Sequence, residues 1–576
     1  MIQDTTSERQ PGSEHSVPKF FRLEGNASLA FILIVTTLVF LPSLFNDFTN
    51  WDDEIYIVNN SLITHLSPGT VANIFTTPQY MGNYHPVTLL SYALDYAVGE
   101  SHPFVYHLDN LLLHLACAVF LFLLLREFKL PPTVPFIVCL LFGIHPLHVE
   151  PVAWLSARKD VLYGAFFLCS LFCYAKYAKN NARGLWYVLS LLFFTCSVLS
   201  KAVAVVTPVV LLLLDWIIER TPQRRMIWEK IPFVLISVIF GVVAIAAQQA
   251  TKSITENPAY GVFDRLCIGA YGLWSYLGKI LLPEHLSAFY FYPSTDHAGL
   301  PLPFQLAFFG MIALVGLTAY SFWKSRIYSF GSAFFILTLA LVLQVFPVGR
   351  ALMADRYAYI PSIGIFLIIG MIFSRATSGL RQISSSFALT LQIAAWLYCL
   401  WLALTTMERC EVWNNGITVW SDVLTSNPGD PGLYNSRGQA YLAAGEPQLA
   451  LRDFEKAISL KPDYKHALTD RGLAHFALQQ LDSAVIDFSE AIGTDSTFSL
   501  AFYDRANTYA HQMKYPLAIN DYATAIRLKP DYGEAYYNRA VLKLAVGDSA
   551  GACADYRAAV KFLAKPPQAP IQAFCR

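Results

Sequence analysis

Apolar residues come in long blocks over the first 407 positions and in short periodic groups after them, so the two parts of the chain predict different structures. Runs of spanning length lie near 28–46, 107–125, 133–151, 160–178, 185–200, 202–218, 231–250, 303–323, 328–347, 357–374 and 386–406. A membrane helix needs ~20 mostly apolar residues, so these runs predict about eleven crossings. The first is expected to be a retained helix, because a polar stretch of 27 residues precedes it and no small-residue cleavage site follows.

Lysine and arginine in the short loops set the orientation. Arg22, Arg126, Lys129, Lys176, Lys179 and Arg220 fall on one side if every run crosses once, and Lys324, Arg326, Arg375 and Arg381 join them only if a twelfth apolar stretch, 266–282, does not cross. That stretch is therefore expected to be re-entrant or to lie in the interface. The segment 185–218 is short for two crossings, and a single crossing there would invert everything downstream; basic loops on both of its sides favour a tight hairpin at Lys201. The N-terminus is then cytoplasmic, while "WDDEIYIVNN" and the C-terminal part face the opposite side.

Beyond residue 430 the chain repeats every 34 residues, in blocks beginning at Pro431, Lys465, Ser499 and Gly533. Ala450, Ala484, Ala518 and Ala552 share one column, Phe454, Phe488, Tyr522 and Tyr556 another, and Arg437, Arg471, Arg505 and Arg539 a third. Small residues where paired helices touch, with an aromatic filling the gap, are the tetratricopeptide pattern. Val419–Asp430 reads as the second helix of one more repeat, whose first helix continues the membrane exit. The predicted fold is all-α, a polytopic helix bundle followed by a repeat superhelix. Its parts are a tail at 1–27, a membrane module at 28–407, a junction at 408–430, four repeats at 431–566 and a tail at 567–576.

Composition changes this picture little. At 55% hydrophobic and 14% charged the chain is too apolar for an ordinary soluble protein. Equal numbers of acidic and basic residues, 41 each, give no reason to invoke nucleic acid. The ten cysteines are scattered, several inside apolar runs, and read as small core residues rather than a disulfide framework.

Charge on the outward loops calls for a reason. Arg158 with Lys159, Lys201, Lys252, and Arg350 with Arg356 suit a phosphate whose lipid tail stays in the bilayer, although Lys252 sits among polar residues and reads as ordinary. The same face carries Asp52, Asp53 and Glu54, Tyr84 and His85, and His145, His148 and Glu150. A carboxylate can take a proton from an acceptor hydroxyl while cations steady a departing phosphate, and this pairs the early acids with the late bases in one outer-leaflet pocket. The bland readings stand beside it: a solvated acidic loop, histidines that orient a loop, an Arg356 that anchors a helix at the headgroups, and Trp51, Tyr56 and Trp154 as interface aromatics. The histidine spacing is no zinc signature, and a divalent ion at Asp52 and Asp53 stays open. There is no G-x-x-x-x-G-K-[ST] and no G-x-G-x-x-G, which agrees with a donor other than a nucleotide.

In their order, "NWDDEIYIVNN", "YHPVTLLSYALDY", "GIHPLHVEPVAWLSARKDVLYG", "LSKAVAVVTPVVLLLLD", "GRALMADRYAYIPSIG" and the repeats resemble the transmembrane and tetratricopeptide-repeat O-mannosyltransferases, of the GT-C class of polytopic glycosyltransferases. The resemblance implies inverting transfer of a sugar, typically mannose, from a polyprenyl or dolichyl phosphate to Ser or Thr hydroxyls of proteins on the non-cytoplasmic side. It implies a base at Asp52 or Asp53, with Asp52 favoured, a lipid phosphate met at Arg356, and repeats that bind the protein acceptor. "ARKD" stands where the family's eukaryotic members read "GRAD", and the array is short, which points to a bacterial relative with periplasmic repeats. The competing classes are a membrane-anchored docking scaffold, a lipid-linked-sugar flippase, and a transferase acting on glycan or lipid acceptors.

Overall fold

A computed structural model describes residues 25–77, 80–180, 184–221, 223–251, 260–293, 299–345 and 351–563. The tails at 1–24 and 564–576, Lys252 and Arg350 lie outside the described residues. Every described element of length is helical, and packing divides the chain into two units: Met1–Asn46 with Tyr56–Glu411, and Asp47–Ile55 with Val412–Arg576. The second unit thus begins near Val412 and takes in nine residues that the sequence pattern assigns to the membrane module.

In the first unit all eleven apolar runs are helical, but not all are long. Among the described residues seven stretches have the length and composition to cross a membrane, and an eighth, Thr133–Ile144 with Pro146–Ala153, is bent by 56°. Three shorter apolar helices, Gly184–Ser200, Ala202–Ile217 and Arg326–Val342, fill the remaining runs. The break at Lys201 has a local cause: its backbone is extended (φ −156°, ψ 127°), and Pro208 starts a new helix two residues after a 3-10 turn ends at Val206. The doubtful stretch is a separate helix, Val262–Leu281, which buries one stripe (Cys267, Ile268, Leu273, Tyr276, Ile280) and carries Asp264, Arg265 and Lys279.

Several of the long helices turn apolar faces outward. Arg224–Ala250 and Leu302–Ser321 bury only 11% of their most apolar windows, and leave Val238, Ile239, Phe309 and Ile312 exposed. Apolar surface on that scale is stable only when covered, and lipid is the cover that matches its length and composition. At helix ends the chain uses proline at the first turn, as at Pro86, Pro103 and Pro208, where the missing N–H costs nothing.

The second unit is a regular array. Helices begin at Pro431, Lys465, Ser499 and Gly533, where the 34-residue period places them, and each is followed by a partner helix. The alanines of the 450 and 457 columns are fully buried, and Phe454 and Phe488 fill the space above Gly438 and Gly472. Arg437, Arg471, Arg505 and Arg539 each grip the aspartate sixteen residues on, Asp453, Asp487, Asp521 and Asp555, with Nε to Oδ2 distances of 2.7, 3.0, 2.7 and 2.7 Å. Bidentate pairing of this kind ties the two helices of a repeat together.

The turn inside each repeat needs a left-handed residue. Gly445 and Gly547 supply it at φ 78° and 89°, whereas the equivalent positions hold Gln479 and Met513 at φ 59° each. A side chain in that conformation costs ~1–2 kcal/mol, part of which glycine returns as unfolded-state entropy. Met513→Gly is therefore expected to strengthen the third repeat by about 0.5–1 kcal/mol, read as slower amide exchange in Ser499–His511 and Tyr515–Leu528 of the full-length protein.

Candidate functional site

The acidic loop is held within the repeat-bearing unit. The Asp47 N–H donates to the Asn414 carbonyl (2.7 Å), and Asn50 Nδ2 donates to the Ser436 carbonyl (2.8 Å) while its Oδ1 accepts from Trp420 Nε1 (2.8 Å). Trp51 stacks over Trp413 with centroids 6.3 Å apart and lies 4.7 Å from Trp420. Trp51, expected as an interface aromatic, is a packing anchor instead. Trp413 and Trp420 of the same unit supply the rings it packs against.

The three acids of this loop have different environments. Asp53 is fully buried, and its Oδ2 accepts from both the N–H and the hydroxyl of Thr49 at 2.9 and 2.8 Å, which closes the loop on itself. Asp52 is half-buried, and among the described residues its carboxylate has no hydrogen bond and no ion pair, while its carbonyl accepts from the Ile55 N–H at 3.1 Å. Glu54 is exposed at the start of the single π-helical turn Glu54–Val58. A fixed backbone with a free side chain is what a proton acceptor requires.

In the first unit the stretches around Glu150, Lys201 and Arg356 come together. Pro146 forces His145 out of the helix (φ −79°, ψ 132°), and a second extended residue at Trp154 precedes the helix Arg158–Asn180. His145 accepts the Leu147 N–H at Nδ1 (3.2 Å) and donates from Nε2 to the Ile280 carbonyl (3.0 Å). His148 donates from Nδ1 to the Phe142 carbonyl (2.6 Å) and faces the Ser362 hydroxyl with Nε2 (3.1 Å). Both rings are spent on shaping the turn. Among the described residues no three His, Cys, Asp or Glu side chains converge as a metal-holding group.

The basic residues separate by what already holds them. Arg158 is fully buried: Nε donates to Asn110 Oδ1 and NH2 to the Tyr106 carbonyl, both at 2.7 Å, and NH1 pairs with Asp95 and, at 3.2 Å, with Asp109. Four contacts, with the guanidinium over the Tyr92 ring, leave it little capacity for a ligand. Lys159 lies over the Tyr56 ring at 5.2 Å. Tyr56 in turn lies 5.4 Å from His85, whose buried ring nitrogens have no partner. Burial, and then the Lys159 charge, push the His85 imidazole down to about 3, so it is neutral at any working pH. Tyr84 bonds the Phe75 carbonyl at 3.0 Å and stacks on Phe240.

Lys201 and Arg356 differ from Arg158 in keeping donors in reserve. Lys201 Nζ meets Asp160 Oδ1 at 2.5 Å, and Arg356 pairs with the buried Glu150, whose Oε2 also accepts the Arg356 backbone N–H at 2.8 Å. The two cations lie 5.1 and 5.0 Å from the centre of the same ring, Tyr357, and so within about 10 Å of each other. Each side chain is 17% exposed. Among the described residues Arg356 Nε and Asp160 Oδ2 have no hydrogen-bond partner, and Lys201 has two further N–H groups. Burial lowers the Lys201 ammonium and Asp160 opposes it, while burial and the neighbouring Glu150 push the Asp355 carboxyl up. The arrangement is a mostly dry, charge-balanced cluster with unpaired donors, suited to receiving an anion.

Sequence reasoning passed over Asp160, Tyr357 and Asp95. Asp160 carried a signal, an acid at the very start of an apolar run, where a counter-cation is needed. Tyr357 and Asp95 carried none, because the cations they bring in, Lys201 and Arg158, lie far along the chain.

A family model described as a tetratricopeptide repeat matches residues 435–497 and 503–570. Protein O-mannosyl-transferase F38B6.6 of Caenorhabditis elegans is 22% identical over 467 residues, covering 77% of this chain and 64% of that protein. Protein O-mannosyl-transferase TMTC3 of Homo sapiens is 24% identical over 493 residues, covering 76% of this chain and 51% of that protein. The chain thus spans between about half and two thirds of the length of these curated relatives. Among solved structures, that of MamA aligns with 25% of this chain and 85% of its own at 22% identity and a TM-score of 0.24.

Proposed function

From a chain that matches the transmembrane and tetratricopeptide-repeat O-mannosyltransferase family, we propose a membrane glycosyltransferase that moves mannose from a polyprenyl-phosphate donor to Ser or Thr hydroxyls of proteins on the non-cytoplasmic side. Asp52 takes the proton of the acceptor hydroxyl as its oxygen attacks the anomeric carbon. The bond from that carbon to the phosphate oxygen breaks, and the electron pair leaves on the lipid phosphate. Arg356 and Lys201 hold the phosphate through the Arg356 Nε–H and the free Lys201 N–H groups, with Lys159 as a further cation and Arg158 as framework. Attack opposite the leaving group inverts the sugar. Glu150 and Asp160 orient the two cations, His85, His145, His148 and Tyr84 shape the turns around them, and the repeats hold the polypeptide acceptor.

The observation that carries this reading is the Arg356 and Lys201 pair about Tyr357, whose Arg356 Nε–H and further Lys201 N–H groups are unspent among the described residues. The test is transfer of labelled mannose from polyprenyl-phosphate mannose to a Ser/Thr peptide by the purified full-length protein. Activity with the natural pair and none with a nucleotide sugar is the expected result; no transfer from any lipid-phosphate sugar would leave the docking scaffold.

The side of the membrane has its own support. Cys553 in the last repeat is disulfide-bonded, unlike the buried Cys117, Cys139, Cys169 and Cys173 of the membrane helices, which are free, and such bonds persist in oxidising compartments. It departs from the reading of the cysteines as core residues throughout. Ser61→Cys, at an exposed position after the acidic loop, is expected to react with a membrane-impermeant maleimide added outside intact cells. Labelling only after lysis would put the loop in the cytoplasm.

A further inference from the structure

The repeat array holds a buried carboxylate whose side chain makes no hydrogen bond among the described residues. Asp504, on helix Ser499–His511, is 6% exposed, and its Oδ2 has no hydrogen-bond partner among the described residues. It lines a cavity of about 590 Å³ together with Leu473, Phe476, Asn507, His511 and Tyr522, a volume in the range that takes a ligand side chain. The neighbouring side-chain amides bond to other groups. Asn507 Oδ1 accepts from the Tyr522 hydroxyl at 2.5 Å and from Asn538 Nδ2 at 3.1 Å, and Asn538 Nδ2 also reaches the Tyr503 oxygen at 3.1 Å.

The column arginines Arg471, Arg505 and Arg539 are committed to their bidentate pairs. One repeat back, in the same column, stands Asp470. Its Oδ2 accepts only the amides of Asn435 (2.9 Å) and Gln439 (2.7 Å). Two carboxylates without a cation are costly to bury unless something compensates them. Burial, and then Asp470, push the Asp504 carboxyl up to about 7, a cost that an arriving cation would reverse.

We propose that this cavity takes a lysine or arginine side chain of an extended polypeptide, its charged head against Asp504 with Asp470 alongside and its methylene stem along Leu473 and Phe476. A long basic side chain has both properties the cavity asks for, an apolar stem and a cationic tip. The array thereby selects polypeptide acceptors that carry a basic residue. This deepens the reading of the repeats as the acceptor-binding module, and rests on it.

The test measures binding without any sugar donor, so that it stands or falls apart from transfer. Short acetylated, Ser-rich fluorescent peptides with one central Lys, Ala or Glu are titrated against the full-length protein in nanodiscs. The Lys peptide is expected to bind about 10- to 100-fold tighter than the Ala peptide, and Asp504→Asn to reduce it to the Ala level. The affinity of the Ala peptide, unchanged in Asp504→Asn, shows that the array remains folded. Equal binding of the Lys and Ala peptides, no binding of either, a preference that survives Asp504→Asn, or loss of both peptides together in that variant would overturn the proposal. Lys selectivity in a protein that transfers no mannose would sustain it and sink the enzymatic reading instead.

Discussion

Asp52→Asn is expected to lower transfer by about 10²–10⁴-fold, the range a positioned general base contributes, with no loss of folding. The half-buried carboxylate has no partner among the described residues, so its amide isostere breaks no contact. Asp53→Asn makes the informative contrast. An amide at that position keeps one oxygen for Thr49 but loses the charge that draws both donors, so the loop loosens and activity falls with it. Amide exchange across Asp47–Ile55 separates the two: unchanged in the Asp52 variant, faster in the Asp53 variant. Wild-type transfer rates in Asp52→Asn would remove the base assignment, and an inactive Asp52 variant with a loosened loop would make Asp52 structural.

Arg356→Ala is expected to abolish donor use and to destabilise the fold by about 3–5 kcal/mol, because it strands a buried Glu150 without its counter-charge. A variant of that kind cannot by itself distinguish a phosphate grip from a buried ion pair. Combining it with Glu150→Gln removes both charges, and this double variant is expected to recover much of the stability while transfer stays absent. Arg356→Lys keeps a charge but loses the planar fork and the Nε–H; it should raise the KM for the lipid donor by more than it lowers kcat. Recovery of transfer in the double variant would show that Arg356 serves only as the partner of Glu150.

The contrast between Arg158 and Arg356 has a physical basis that extends to the rest of the cluster. Arg158 is surrounded by acceptors on two other helical segments, Asp95 on one and Asp109, Asn110 and the Tyr106 carbonyl on the other, so its charge is neutralised and its donors are used. Substituting it is expected to cost stability before it costs specificity. Lys201 sits at a break between two short helices, where an apolar pair of helices turns one polar residue toward Asp160. That break is also why the segment 185–218 is hard to read as crossings from its length alone.

Much of the architecture was legible because it is written in short-range periodicity. The apolar runs, the break at Lys201, the 34-residue step and its columns of alanine and aromatic residues all depend on neighbours within one or two turns, or on the next copy of the same unit, whereas the bend at Pro146 falls inside a stretch, 133–151, that the pattern reads as one run. That Glu150, Lys201 and Arg356 call for a reason was legible too, since isolated charges beside apolar runs need partners. Which charges stay free was not. Arg356 meets Glu150 across 206 positions and Arg158 meets Asn110 across 48, whereas Asp53 folds back on Thr49 only because a loop anchored by Asn50 and Trp51 brings it there. Local pattern determines where helices form and which faces are apolar, because those preferences are set by backbone geometry and solvent. Only the tertiary structure decides whether a charged side chain is neutralised or left available, because pairing depends on distances that chain order does not encode.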